Sequence, residues 1–123
     1  MINFASIYRS PGSGISVFLV EFMSFYGFLS SLSSPTLICG DFNIHLDTDT
    51  VSSLNFKSML DSCSLVQHID FPTHIHGDTL DCLITPSDFT DIDNISNISC
   101  ISDHFCVGCN TQLKRLCIIN ITE

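Results

Sequence analysis

The sequence has very few basic residues. Among its 123 residues only Arg9, Lys57, Lys114 and Arg115 are basic, and the formal net charge is −9. Proteins that bind nucleic acids normally carry a basic surface that neutralises phosphates. That mode of binding is excluded here. A polyanionic substrate would instead need a divalent cation held by the carboxylates, or a positive field from a further segment.

Several common motifs are also absent. The sequence has no phosphate-binding glycine loop of the P-loop or Rossmann type and no Gly-x-Ser-x-Gly elbow of a serine hydrolase. No secretory signal is predicted, because the N-terminus lacks a basic flank followed by an apolar core. The seven cysteines have no regular spacing. They are typical of a reduced, intracellular chain, nuclear or cytoplasmic, and we interpret Cys106-x-x-Cys109 as packing.

Apolar residues, in contrast, are abundant. Hydrophobic residues make up 45% of the chain and charged residues 14%, which predicts one folded domain with exposed apolar surface for self-association. Residues 15–32 approach the length of a membrane span. However, Glu21, Ser24 and Ser31 form a polar stripe at helical spacing, so we predict an amphipathic helix and no membrane partner.

Strands and helices alternate early in the chain and strands dominate later, which favours an α/β or α+β class. We predict strands at residues 2–8, 36–39, 65–68, 79–85 and 104–113, and helices at 15–32 and 53–62, the second capped by Ser53. Isoleucines recur every third residue from 92 to 101, a spacing that fits neither element. Residues 117–121 are either a last strand or a non-native end.

The tetrapeptide Gly40-Asp41-Phe42-Asn43 follows the apolar run at 36–39. In extended backbone, residues i and i+2 point to the same face. Asp41 and Asn43 are therefore predicted to converge at the mouth of a sheet. A carboxylate there can take a proton from water, and a carboxamide can hold a phosphate oxygen.

Four further residues have side chains suited to phosphate chemistry. Asp103 and His104 begin a strand, where an acid that we expect to be buried can ligate a metal and an imidazolium can stabilise a pentacovalent phosphorus. Asp81 lies in an apolar strand, and a buried carboxylate needs a partner, for which His104 is the candidate. Tyr8 ends the first strand and can donate to a phosphate or leaving group. Each residue alone is also compatible with a purely structural role.

The segment His74-x-His76-x-Asp78 resembles part of a hydrolytic zinc site. A third convergent histidine is not evident in the sequence. We therefore predict no zinc site there.

Taken in order, these elements resemble the endonuclease/exonuclease/phosphatase family, and most of all the endonuclease domain of LINE-type (non-LTR) retrotransposons. The resemblance implies a partial two-layer α/β sandwich, because the family's N-terminal strands, with an Asn and a metal-ligating Glu, have no counterpart before Tyr8. Residues 1–113 are expected to be the C-terminal part of that domain and 114–123 a tail. The matching elements are Ile7-Tyr8-Arg9-Ser10-Pro11, Gly40-Asp41-Phe42-Asn43, Pro72-Thr73-His74, Thr79-Leu80-Asp81 and Ile101-Ser102-Asp103-His104-Phe105.

The resemblance implies Mg²⁺-dependent hydrolysis of phosphodiester bonds in DNA. In this chain Asp41 would orient or deprotonate the attacking water, and Asn43 would position that water or the phosphate. His104, held by Asp81, would stabilise the phosphorane. Asp103 would lie at the metal, and Tyr8 would contact the phosphate. Thr73 would help to shape the DNA-facing site.

Without the family's Glu, the activity of this chain alone is expected to be weak or absent. Two alternatives stay open. One is a phosphoesterase of the same family that acts on a smaller phosphorylated substrate, which the acidic composition favours. The other is a non-catalytic remnant that binds a protein.

Overall fold

The computed structural model describes residues 1–112 and 116–122, the latter as backbone. Within these ranges the chain forms two helices and two sheets, so the mixed α/β class expected from the sequence is confirmed. The elements in order are β1 (Ile2–Tyr8), α1 (Ile15–Ser30), β2 (Thr36–Asp41), α2 (Val51–Ser62), β3 (Leu65–Gln67), β4 (Asp81–Pro86), β5 (Asp93–Ile101), β6 (His104–Asn110) and β7 (Leu116–Thr122).

The larger sheet has five strands in the order β3-β4-β2-β1-β7. Strand β1 is parallel to both β2 and β7, whereas β4 is antiparallel to β2 and to β3. Of the two alternatives for residues 117–121, the structure forms the strand, which pairs with β1 along its length. The division into residues 1–113 and 114–123 stays a prediction.

Both helices pack on one face of this sheet, which we call the helix face. Phe18, Phe22 and Leu29 of α1 are buried there with Phe56 of α2, against apolar residues of β1, β2 and β4. The cap of α2 differs from the prediction. Thr50 is the N-cap, and its hydroxyl accepts the Ser53 backbone N–H at 3.2 Å. Ser53 is itself inside the helix and fully buried, because the helix begins earlier than its apolar pattern.

The other side of α1 faces solvent. It carries the polar residues Glu21, Ser24 and Ser31 that were predicted to form a stripe. It also exposes apolar side chains, namely Val17, Val20, Met23 and Phe28. None of the helices in the described residues has the length and apolarity needed to cross a membrane. Self-association through the exposed apolar side chains stays a prediction.

Strands β5 and β6 form an antiparallel hairpin that packs on the opposite face of the sheet, which we call the hairpin face. Its register shifts twice, between Asp93 and Ser96 and between Asn97 and Ser99, and each shift places one extra residue on β5. A bulge of this kind lengthens the local repeat from two residues to three. The four isoleucines at this spacing do not all share one face of the hairpin. Ile92 and Ile95 pack toward the sheet, whereas Ile98 and Ile101 are exposed.

Alternation along the strands decides which side chains reach the hairpin face. In β4, Cys82 and Ile84 point into the core of the helix face, whereas Leu83 joins the core of the hairpin face. Asp81 is two residues from Leu83 and therefore shares its face. Strand β2 extends to Asp41, two residues further than predicted, and by the same alternation Asp41 shares the face of Leu37.

Candidate active site

The site is centred on two carboxylates at neighbouring strand ends. Asp41 is the last residue of β2 and Asp81 the first residue of β4, and the two are direct partners in the antiparallel register. Both side chains point to the hairpin face and are largely buried. Two carboxylates side by side repel each other unless a cation or a hydrogen-bond donor lies between them.

The imidazole of His104 supplies that donor. His104 begins β6 and reaches across from the hairpin, with its Nδ1 2.9 Å from Asp81 Oδ2 and its Nε2 3.6 Å from Asp41 Oδ2. Burial works to lower the pKa of His104, but the hydrogen bond that it donates to Asp81 and the charges of Asp81, Asp41 and Asp103 raise it above its ordinary value. The structure thus brings together Asp41, Asp81 and His104, and the pairing of Asp81 with His104 is the one predicted from the sequence.

Asp41 has a perturbed carboxyl group. Burial raises its pKa above the ordinary value, and the Asp81 carboxylate adds to that rise. The Asn43 backbone N–H, which donates to Asp41 Oδ1 at 3.0 Å, and the two imidazoles of His104 and His74 act in the opposite direction. A carboxylate with a raised pKa is a better base at neutral pH than an ordinary one.

Asn43 contacts Asp41 through its backbone N–H, and not through the side chain that was predicted to converge with it. It does not continue the strand, because its backbone has a φ of 49°, in the left-handed region that Asn tolerates better than most residues. The argument from extended backbone is therefore wrong at this position. The turn is held by Arg9, whose backbone carbonyl accepts the Asn43 side-chain N–H at 2.6 Å and whose guanidinium donates to the carbonyls of Phe42 and Asn43 at 3.3 and 3.2 Å.

Tyr8 ends β1 beside this turn. The parallel register of β1 and β2, continued by two residues, places Tyr8 next to Asp41, and the next backbone N–H, that of Arg9, donates to the Asp41 carbonyl at 2.9 Å. Tyr8 has 43% of its surface exposed. It is thus accessible to a substrate at the same strand ends.

Thr73 is fully buried. Its hydroxyl oxygen accepts the backbone N–H groups of Leu80 and Asp81 at 3.0 and 3.1 Å, so the side chain fixes the start of β4. The structure gives Thr73 a contact that positions Asp81. A direct contact between Thr73 and a substrate stays a prediction.

Asp103 lies in the turn between β5 and β6, and its side chain is 57% exposed, so the expectation of a buried acid is wrong. Turns lie at the protein surface, and the Asp103 side chain in this turn points to solvent. Its own backbone N–H lowers the pKa of Asp103, and His74, whose Nε2 is 3.4 Å from Asp103 Oδ2, lowers it further. Asp103 is therefore ionised and accessible at neutral pH.

Two groups at this site, among the described residues, have ligand atoms close enough for one metal ion. The first is Asp41, Asp81 and His104, and the second is His74, Asp103 and His104, with the ligand atoms of each group within 4.8 Å of one another. In the first group, both carboxylates already contact the imidazole of His104. Asp103 is the exposed carboxylate, and Mg²⁺ typically binds one or two protein carboxylates plus substrate oxygens. The donor set thus fits a divalent metal bound from the solvent side.

Sequence reasoning did not assign Arg9 or His74 to the site. Arg9 is only 6% exposed, and its guanidinium lies 5.6 Å over the ring of Phe18. One signal was in the sequence, since Arg9 is one of four basic residues and directly follows Tyr8. His74 was considered only together with His76 and Asp78, and its contact with the hairpin had no local signal.

The fold is a mixed α/β fold similar to that of a solved retrotransposon endonuclease domain. Its similarity is to the endonuclease domain of TRAS1, a telomere-specific non-LTR retrotransposon, with a TM-score of 0.73 and 19% sequence identity. The match covers 88% of this chain and 54% of that one, so this chain spans about half the length of that solved structure. No protein-family model and no curated protein matches the sequence. The resemblance seen in the sequence elements is thereby confirmed at the level of the fold.

Proposed function

We propose that this chain is a nuclease-type domain that hydrolyses phosphodiester bonds in DNA with the help of Mg²⁺. The observation that carries the proposal is the imidazole of His104 held between Asp81 and Asp41 at neighbouring strand ends. This arrangement offers a base, a charge-stabilising donor and a residue that orients the donor. The shared fold with a retrotransposon endonuclease domain supports the choice of DNA as the substrate.

Asp41 is the group that accepts the proton of the attacking water. Its raised pKa favours this role, because a base is most effective when its pKa is near the working pH. The Asn43 N–H holds one oxygen of Asp41 at 3.0 Å, which leaves the other oxygen for the water. Asn43 positions the water or the phosphate from the adjoining turn.

His104 stabilises the charge that develops on the phosphoryl oxygens. Asp81 accepts from Nδ1 at 2.9 Å, so it fixes the ring and favours the imidazolium form. The 3.6 Å between Nε2 and Asp41 is longer than a normal hydrogen bond, so this N–H is available to a substrate oxygen. A donor aimed at developing charge is typically worth ~2.7–4 kcal/mol of the barrier.

Asp103 is the residue that would hold Mg²⁺, and the ion would supply Lewis-acid polarisation of the phosphoryl group. Asp103 is suited to this because it is exposed and its carboxyl pKa is lowered. A single carboxylate binds Mg²⁺ weakly, so we expect feeble activity from the chain alone. Tyr8, exposed next to Asp41, contacts the phosphate.

Plasmid nicking tests the proposal. Purified chain is incubated with supercoiled plasmid in Mg²⁺ or in EDTA, alongside Asp41→Asn and the control Asp49→Asn, which removes an exposed carboxylate from a loop outside the groups above. We expect Mg²⁺-dependent nicking that Asp41→Asn abolishes and Asp49→Asn leaves unchanged. No nicking from a folded sample, or equal nicking by Asp41→Asn, would contradict it. Hydrolysis of bis(p-nitrophenyl) phosphate without nicking would indicate a smaller substrate instead.

A further inference from the structure

The side chains of the histidine motif in the loop before β4 contact different neighbours. His74 points to the hairpin, His76 is exposed, and Asp78 pairs with His45 at 3.1 Å. The two histidine rings lie side by side, with 5.0 Å between their centroids. Among the described residues, His74 groups with Asp103 and His104 rather than with Asp78. Of the two histidines in this loop, His74 is therefore the one that lies at the candidate active site.

His74 is held in place by backbone contacts on both sides. It forms an isolated antiparallel bridge with His104, and the neighbouring Ile75 N–H donates to the Asp103 carbonyl at 2.9 Å. The ring meets the His104 ring edge to face, at 5.1 Å between centroids and 88° between planes. Its side chain is only 14% exposed, whereas that of Asp103 is 57% exposed. The largely buried ring of His74 thus lies beside the exposed side chain of Asp103 in the hairpin turn.

The hydrogen bonds of the loop decide which nitrogen of His74 carries the proton. The His76 backbone N–H donates to His74 Nδ1 at 3.2 Å. A backbone N–H is only a donor, so Nδ1 must be the acceptor and the proton of the neutral ring must be on Nε2. Nε2 lies 3.4 Å from Asp103 Oδ2. Because a metal-binding nitrogen must be unprotonated, this tautomer places an N–H on the side of Asp103, at ion-pair distance from its carboxylate, and does not make His74 a metal ligand.

We infer that His74 is a positioning residue that holds the Asp103 carboxylate in the orientation that the metal and the substrate phosphate require. This inference rests on the proposed function, since it concerns the use of Asp103 at that same site. Hydrogen bonds from outer residues to a metal-binding side chain fix its orientation, and their loss typically lowers metal affinity 10–100-fold. In this role His74 acts through Asp103 and does not touch the reacting atoms.

Two substitutions test the N–H donor of His74 separately from the packing of its ring on His104. His74→Gln keeps an N–H donor near the position of Nε2, whereas His74→Phe keeps a ring against His104 and removes the donor. His76→Gln is the matched control, because it removes the neighbouring, exposed imidazole and keeps the backbone N–H. Mn²⁺ binding is measured by titration calorimetry, since it does not depend on activity, and the melting temperature of each variant is recorded.

We expect His74→Phe to weaken Mn²⁺ binding about 10-fold or more, and His74→Gln to restore most of the loss. His76→Gln should bind Mn²⁺ like the unchanged chain. If His74→Phe folds and binds Mn²⁺ normally, or if both His74 variants lose binding equally, the inference is overturned.

A second readout separates this inference from the proposed function. In long-range ¹H–¹⁵N spectra of the unchanged chain, His74 should show the Nε2–H tautomer, and Asp103→Asn should shift its Nε2 signal. An Nδ1–H tautomer, or a Nε2 signal unaffected by Asp103→Asn, would overturn the role of His74 even if plasmid is nicked. Failure of nicking with the expected spectra would instead contradict the proposed function and leave the His74–Asp103 contact standing.

Discussion

The two faces of the five-stranded sheet are packed to different degrees. On the helix face, Phe42 and Phe56 are fully buried, and the rings of Phe18 and Phe22 meet Phe42 at centroid distances of 5.6 and 6.0 Å. On the hairpin face, a cavity of about 380 Å³ lies between the sheet and β6, and Val107 is only partly buried. The stable core is thus on one side of the sheet and the candidate chemistry on the other.

This difference shows how the site is assembled. Asp41 and Asp81 are fixed by strands that the helix face holds firmly, whereas His104 and Asp103 come from the less tightly packed hairpin. The site therefore depends on how well the hairpin stays on the sheet. The predictions that follow test this contrast, from the largest expected effect to the smallest.

Phe42→Ala should have the largest effect on stability. The ring is fully buried among three other phenylalanines, and loss of such a ring typically costs about 3–5 kcal/mol. Val107→Ala, on the hairpin face, should cost about 1 kcal/mol, because its side chain is already partly exposed and borders a cavity. Urea unfolding of the two variants measures both values. Equal losses would show that the two faces contribute alike.

Gly40→Ala should have the second-largest effect. Gly40 has a φ of +144°, and a Cβ built there would lie 1.8 Å from the backbone oxygen of Ile7. Neither the backbone conformation nor the close approach of β1 and β2 allows a side chain, so we expect a loss on the order of 3 kcal/mol. Gly12→Ala, where the Cβ meets nothing within 4 Å, is the matched control in urea unfolding. A Gly40→Ala variant as stable as the control would contradict the packing described here.

The local elements could be predicted from the sequence because their signals are local. The apolar run and its Gly-Asp-Phe-Asn end located β2, and the polar stripe of Glu21 and Ser24 located the exposed side of α1. The pairing of Asp81 with His104 was also predictable, since a carboxylate in an apolar strand needs a partner.

Other features depend on contacts between distant segments, which leave no local signal. The bulges of β5 are set by its pairing with β6. The conformation of Asn43 is set by Arg9, a residue from another strand end. The place of His74 is set by its bridge to His104. In each case a residue's neighbours along the chain gave the wrong expectation or none.

Thiol labelling tests whether the hairpin stays on the sheet. Cys39 lies in β2 under the hairpin, where burial, followed by the nearby Cys109 and Asp81, raises the pKa of its thiol to about 11. At pH 8 only about one thiol in a thousand is then in the reactive thiolate form. Cys100, on β5, is exposed. We expect iodoacetamide to label Cys100 far faster than Cys39, as measured by peptide mass spectrometry over time. Similar rates would indicate that the hairpin lifts readily from the sheet.

The pKa of His104 gives the finest test, because its pair with Asp81 joins the hairpin to the sheet. The pKa is raised in the folded chain, so the stabilising contribution of this pair is complete below about pH 6.5, the ordinary value for histidine. It is lost as the pH rises through the raised value. Asp81→Asn removes the charge at similar size and should lower the pKa of His104, as read from its Cε1–H NMR signal. Asp103→Asn, the control, should lower it less, because Asp103 is the weakest of the three carboxylate influences on His104. An equal shift in both variants would mean that Asp103, in the hairpin, raises the pKa of His104 as much as Asp81 in the sheet does.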